Sequence, residues 1–176
     1  MGSATDEELL VLRLLNPLSK LFVCKQSIST ISEGLESFGG QGAMEDTGLP
    51  VMLRDSQIFT IWEGTTNVLA MDMLRAIHKT KGQVLKAFSS NLKTRLKLAS
   101  NHVTLKEEAL KVESLLDQIL DTILKNQDIL EVGARDLAFS LAKLFIAGAF
   151  LETCCWEGST PLDEATALRS LNVSIN

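Results

Sequence analysis

The chain has 176 residues and a formal net charge of −5, with 45% hydrophobic and 22% charged residues. That is enough apolar material for a buried core, and too much for a disordered tail. The acidic balance argues against nucleic acid as a partner, because a phosphate-binding surface needs the opposite sign. Tyrosine is absent and aromatics are only 5%, which suits Leu-rich stacked helices better than a sandwich of β-branched and aromatic strands.

In chain order, Asn16-Pro17 reads as an N-cap followed by a proline at the first helical position. Leu18, Leu21, Cys24, Ile28, Ile31, Leu35 and Phe38 then recur at helical spacing, and Gly39-Gly40-Gln41-Gly42 ends the run. A turn-rich stretch, Glu45-Asp46-Thr47-Gly48-Leu49-Pro50, leads into a short apolar segment at 51–61 that carries Arg54-Asp55. Trp62-Glu63-Gly64-Thr65-Thr66-Asn67 interrupts it, and helical spacing resumes over 68–77. Gly82 is a joint. Beyond it Leu85, Phe88, Leu92, Leu96 and Ala99 form one stripe, while Leu105, Ala109, Val112, Leu116, Ile119 and Ile123 form a second with the seam spacing of antiparallel or coiled-coil packing. Asp128 with Glu131 reads as a capping-box-like start for a long apolar helix to about Trp156, and Thr160-Pro161-Leu162-Asp163-Glu164 opens a last short helix. The expectation is an all-α helical bundle in two parts, 4–81 and 82–176.

Cys24, Cys154 and Cys155 are odd in number and form no Cys-x-x-Cys, so a reducing compartment is expected and a disulfide framework is not. His78 and His102 have no acidic or cysteine cluster beside them, and no histidine metal site is expected. The apolar run 137–151 contains Lys143 and is too short to cross a bilayer, so it is expected to be a buried helix. Met71 and Met73 are expected to fill the core.

Two stretches carry more than packing. Three glycines in Gly39-Gly40-Gln41-Gly42 let the backbone approach a bulky flat or phosphorylated ligand, although a helix end with a tight turn needs the same residues. No strand precedes them, so this is not a dinucleotide fingerprint. In Trp62-Glu63-Gly64-Thr65, a carboxylate sits between an indole and a glycine in an apolar stretch. Desolvation there would raise its pKa and let it accept a proton near neutral pH. The plainer alternative is a solvated turn with Thr65 or Thr66 as N-cap.

Taken together with Arg54-Asp55 between them, these stretches resemble the C-terminal helical domain of the flavin-dependent acyl-CoA dehydrogenase family. That family shows a Gly-Gly-x-Gly turn, an Arg-Asp pair and an aromatic-Glu-Gly-Thr segment at this separation. The wording of 45–50 is most similar to AidB-like and other long members with an added C-terminal helical region. The resemblance covers about residues 14–80 well and 82–176 more weakly.

The resemblance implies removal of the α-proton of an acyl-CoA by a carboxylate while a hydride passes to flavin N5 of FAD. Glu63 falls on the base position, Trp62 beside the flavin, and Thr65 and Asn67 where the cofactor is met. Gly39, Gly40 and Gly42 fall where one subunit approaches the FAD of its mate, so a homodimer or homo-oligomer is implied. Glu36 stands where many members carry Gln, and its charge would repel flavin phosphates. The family's N-terminal helical and middle β-domains have no room before Asn16. The chain is therefore expected to be a terminal part that retains no FAD and has no turnover alone, since positioning and preorganised electrostatics supply most of the rate. A mitochondrial location is implied by family, with a cytoplasmic one as the alternative expectation. The rival expectations are a non-catalytic helical oligomerisation module and, behind it, membrane attachment through an amphipathic helix.

Overall fold

The computed structural model describes residues 3–175 and resolves them into seven α-helices: α1 (Asp6–Ser37), α2 (Leu49–Phe59), α3 (Thr66–Lys79), α4 (Gln83–Ser100), α5 (Lys106–Lys125), α6 (Ala134–Cys154) and α7 (Pro161–Ile175). No strand occurs among the described residues, and the fold is all-α.

The first helix begins earlier than Asn16. The Thr5 hydroxyl accepts from Glu8 N at 3.3 Å while the Glu8 carboxylate accepts from Thr5 N at 2.7 Å. This capping box is reinforced by Asp6, Glu7 and Glu8 in the first turn, where negative charge favours the helix N-terminus. Pro17 therefore lies inside α1. An interior proline costs about 3 kcal/mol, but Val11, Leu14, Leu18 and Leu21 bury a continuous face on both sides of it, against α3, α4 and α6.

At 1.5 Å per residue α1 is about 48 Å long and α4 about 27 Å, so α1 outruns the bundle. Its later apolar residues, Cys24, Ile28, Ile31 and Leu35, are accordingly only half-buried, and Phe38 is exposed. This projecting end carries the 3-10 turn Gly39–Ala43, the 3-10 turn Glu45–Thr47 and α2.

The stripes on α4 and α5 fall where their spacing puts them. Leu85, Phe88, Leu92, Leu96 and Ala99 are buried, as are Leu105, Ala109, Val112, Leu116 and Ile123, with Ile119 half-buried. The third long helix starts later than Asp128. A 3-10 turn, Gln127–Ile129, precedes Gly133, and α6 begins at Ala134 with no side-chain cap. An 18-residue window of the 21-residue α6 reaches a mean hydropathy of 1.6, so the helix is long and apolar enough by length and composition to cross a membrane, and it is longer than the 137–151 run. In this fold it is the central rod, touching α1, α3, α4, α5 and α7. Lys143 stays on its exposed side.

Thr160 and Asp163 cap α7 reciprocally, Thr160 N donating to the Asp163 carboxylate at 2.8 Å and Asp163 N to Thr160 Oγ1 at 3.3 Å. Cys154 is buried at the end of α6, and burial pushes its thiol up from the usual range. Met73 is buried in the core, whereas Met71 remains exposed. Gly82, with φ of 80°, turns the chain from α3 into α4. One hydrophobic cluster runs from Leu14 of α1 through Met73, Phe88, Leu116 and Leu141 to Leu171 of α7.

Candidate functional site

The residues singled out from the sequence surround α2, and α2 is turned against the usual rule. Its residue facing inward is Ser56, followed by Thr60 just past its end, and both hydroxyls donate to their own backbone, to Leu53 O at 2.7 Å and Gln57 O at 2.9 Å. Its large apolar side chains, Val51, Met52, Ile58 and Phe59, are exposed. Phe38, Met44, Ile61, Trp62 and Val68, before and after the helix, are exposed as well. Large apolar side chains left in water along one side of a helix suit a surface that is to be covered.

The two motifs sit at opposite ends of α2, about 16 Å apart along its axis. At the N-terminal end lies a shallow cleft of ≈ 390 Å³ bordered by Glu36, Gly39, Gly42, Pro50 and Arg54. Glu63, Trp62, Thr65 and Asn67 are not among its walls. The structure thus does not bring the glycine turn and Glu63 into one cavity of this chain.

The three glycines play different parts. A Cβ on Gly39 or Gly40 would meet nothing within 4 Å, so their backbone faces open space. Gly42 is buried, and a Cβ there would lie 2.0 Å from Leu35 O. Its lack of a side chain is needed by the fold itself, to seat the turn on α1. Arg54 pairs with Glu45 rather than with Asp55, through bonds of 2.7 and 3.0 Å. The Arg54 guanidinium holds the Glu45 carboxyl below the usual carboxylate range.

At the other end, Glu63 lies on a tight turn with φ of 54°, followed by Gly64 with φ of 108°. Lys20, from α1, donates to the carbonyls on both sides of it, Trp62 O and Gly64 O, each at 2.7 Å. The Trp62 ring packs obliquely on Phe59, centroids 5.9 Å apart, and is 54% exposed. Glu63 itself is exposed and has no ion-pair partner among the described residues. This corrects the expectation of a desolvated carboxylate. Its sequence neighbours are apolar, but they are exposed with it, and no other element among the described residues covers them.

Thr65 precedes α3 in extended conformation and makes no side-chain cap bond, which leaves its hydroxyl free, while Thr66 is buried. Asn67 is held from the far half of the chain: its Oδ1 accepts from Arg135 Nη1 at 2.9 Å, and that guanidinium lies over the Phe139 ring at 5.5 Å. Neither Lys20 nor Arg135 was legible as a site residue. The partner of Lys20 is a stretch of distant backbone, and that of Arg135 is a side chain 68 residues away, so no local spacing announces either.

A flat, phosphorylated cofactor fits this surface as one wall. The bare backbone at Gly39 and Gly40, the half-exposed indole of Trp62 and the unpaired Thr65 hydroxyl suit it. The exposed Glu36 carboxylate beside the glycine turn works against a phosphate there.

The family described as acyl-CoA dehydrogenase, C-terminal domain, matches residues 3–78, and acyl-CoA dehydrogenase 11 C-terminal domain-like matches residues 83–174. Acyl-CoA dehydrogenase family member 11 of Caenorhabditis elegans is 41% identical over 158 residues, 85% of this chain and 25% of that protein. AidB of Escherichia coli is 35% identical over 79 residues, 45% of this chain and 15% of that one. The crystal structure of Caenorhabditis elegans ACDH-11 in complex with C11-CoA superposes with a TM-score of 0.89 at 36% identity, covering 96% of this chain and 30% of that one. The chain thus spans about a quarter of the nematode relative's length.

Proposed function

Since the chain belongs to the acyl-CoA dehydrogenase family, we propose that it forms the C-terminal wall of an acyl-CoA dehydrogenase site, with Glu63 as the base that takes the α-proton of an acyl-CoA. The observation that carries this reading is the presentation of Glu63. Its carboxylate is exposed without an ion-pair partner among the described residues and stands on a left-handed turn, and Ile58, Phe59, Ile61 and Trp62, which lead into that turn, are exposed with it. A second surface laid over these residues would expel water from around the carboxylate, and desolvation is what makes a carboxylate an effective proton acceptor. FAD, when bound, takes the β-hydrogen as hydride. Trp62 would lie against its ring, Thr65 would offer a hydroxyl, and Asn67 would be steadied by Arg135, while Gly39 and Gly40, at the other end of α2, would admit the FAD of a second copy by their open backbone.

The covering surface, in this reading, is a second copy of the chain or the remainder of a longer one. The outward apolar side of α2 supports either. Alone, the chain is expected to have no turnover: its base stands in water and its clefts are open. The two family matches meet between residues 78 and 83 and support a division near residue 81 into a C-terminal dehydrogenase part and an added helical part.

The test is a graft. Exchanged for the matching segment of the nematode relative, this chain is expected to sustain acyl-CoA-dependent reduction of an electron acceptor. Glu63→Gln in that graft should lower kcat by about 10²- to 10⁴-fold. Retained turnover in the variant removes Glu63 as the base and leaves the rival reading, a non-catalytic interaction module built on the outward face of α2. Substrate-dependent reduction by the isolated chain with FAD would refute its inactivity.

A further inference from the structure

We propose that Lys20 is the positioning residue of this site: it fixes the direction in which the Glu63 carboxylate leaves the backbone. Glu63 and Lys81 are the two non-glycine residues with positive φ among the described residues, at 54° and 50°. A side chain resists the left-handed region, so something around it must hold it there. At Lys81 the backbone does so. Lys81 N donates to His78 O at 3.0 Å and Gly82 N to Ile77 O at 2.9 Å, which closes the end of α3.

Glu63 has no such support. The backbone bonds of the preceding helix stop at Trp62 N to Ile58 O, 3.0 Å, and those of α3 begin at Leu69 N to Thr65 O, 3.0 Å. Between them, the two carbonyls flanking Glu63 converge on one ammonium, Lys20 Nζ, at 2.7 Å each. Each peptide unit is planar, so holding its carbonyl orients the whole unit. The units held are 62–63 and 64–65, with the Glu63–Gly64 unit between them, so the two bonds close the turn over Glu63 and Gly64 and confine the four dihedrals of that pair together, and with them the Cα–Cβ direction of Glu63. Ammonium donors to carbonyl oxygen are charge-assisted and short, which makes the restraint stiff.

The anchor is rigid as well. Lys20 stands on α1 between Leu18 and Leu21, each 1% exposed, and forms no salt bridge among the described residues. Gly64 adds its own constraint, since a Cβ there would lie 3.2 Å from Leu69 Cδ2. Without Lys20 the turn can relax toward right-handed conformations, and the carboxylate points elsewhere for part of the time. The effect on chemistry rests on the reading of Glu63 as base; the effect on the turn does not.

The turn is tested directly in the 176-residue chain by a Glu-specific protease, which must draw the peptide around Glu63 into extended form. Lys20→Met is expected to speed cleavage after Glu63 by about tenfold. Lys20→Arg, whose fork can also reach two carbonyls, should restore it to within about threefold of wild type. Cleavage after Glu131, at another exposed turn, is the internal control. An unchanged rate at Glu63 overturns the proposal, and so does equal acceleration at both sites, which marks general loosening. In the graft, Lys20→Met should lower kcat by about tenfold and leave KM within about twofold, since Lys20 acts through Glu63 and not on substrate. If Glu63→Gln stays active while Lys20→Met still frees the turn, the base reading fails alone. If cleavage is unchanged while Glu63→Gln is inactive, the positioning role fails alone.

Discussion

Replacing Gly42 by alanine adds one methyl group where α1 leaves no room. The new Cβ would stand 2.0 Å from Leu35 O and 2.8 Å from Leu35 C. These are backbone atoms of the final turns of α1, and they cannot rotate aside as the end of a side chain can. An ordinary carbon–oxygen approach is about 3.3 Å, so the separation must grow by about 1.3 Å. Leu35 O also accepts from Phe38 N at 3.1 Å, the bond that closes the helix, and the shift would break it. Overpacking at about 1–3 kcal/mol and a lost hydrogen bond at about 1 kcal/mol give roughly 2–4 kcal/mol.

That cost falls locally, because 39–59 rests chiefly on α1 and contributes nothing to the hydrophobic cluster of the bundle. Hydrogen exchange followed by mass spectrometry should show amides of 39–59 losing about 30- to 700-fold in protection, one factor of ten per 1.4 kcal/mol. The calorimetric midpoint of the bundle should move by less than about 3 °C. Gly40→Ala is the control: its Cβ meets nothing within 4 Å, and exchange should stay within about threefold of wild type. If the Gly42 variant exchanges like the Gly40 variant, the contact with Leu35 does not constrain the turn. A drop in midpoint as large as that of a core variant would show that 39–59 is no separate unit.

A core variant has the opposite signature. Phe88 is fully buried with its ring 6.1 Å from that of Phe145, and Phe88→Ala should cost about 3–5 kcal/mol, lowering the calorimetric midpoint by about 6–20 °C. Asp72 accepts two bonds from Arg13, at 2.7 and 3.0 Å, and this guanidinium holds its carboxyl below the usual 3.8. A depressed folded value means stabilisation that is present above the ordinary pKa and lost as pH falls through the folded one. Both partners are partly exposed, so Asp72→Asn should cost at most about 1 kcal/mol at neutral pH, and thermal melts of variant and wild type should converge in acid. Thr160→Ala removes the reciprocal cap of α7 and should cost about 1 kcal/mol, read as faster exchange in α7 with the remaining helices unchanged.

Where a helix packs on one side against its own chain, the sequence shows it. The α4 and α5 stripes are legible because each apolar step meets a neighbour in the same bundle. The start of α1 is not, because two local signals compete. Asn16-Pro17 looks like a cap and first turn, yet Thr5-x-x-Glu8 forms the real one, and burial on both sides of Pro17 decides between them. Asp128 with Glu131 fails as a start for α6 for a related reason: a 3-10 turn intervenes and Gly133 restarts the helix. At the site, spacing identified the motifs but could not measure the length of α2 that separates them. Nor could it show that Gly42 serves the fold while Gly39 and Gly40 stand open.

The misjudged burial of Glu63 follows from what a hydrophobic pattern encodes. It tells which side of an element prefers to leave water, and nothing about whether the cover belongs to the same chain. On α2 the two come apart: Ser56 and Thr60 face α1, while Ile58 and Phe59 face out with Trp62. Here α1 supplies a long rod for α2 to rest on, and Lys20 ties down the turn that follows. A base on a surface of this kind, once covered by an apolar face, loses its water at the moment the cover closes and not before. The free chain therefore never bears the cost of an unpaired buried charge. In the proposed site, desolvation is a property of the closed assembly, and what this chain contributes beforehand is direction: a carboxylate held by its backbone toward the surface that will meet it.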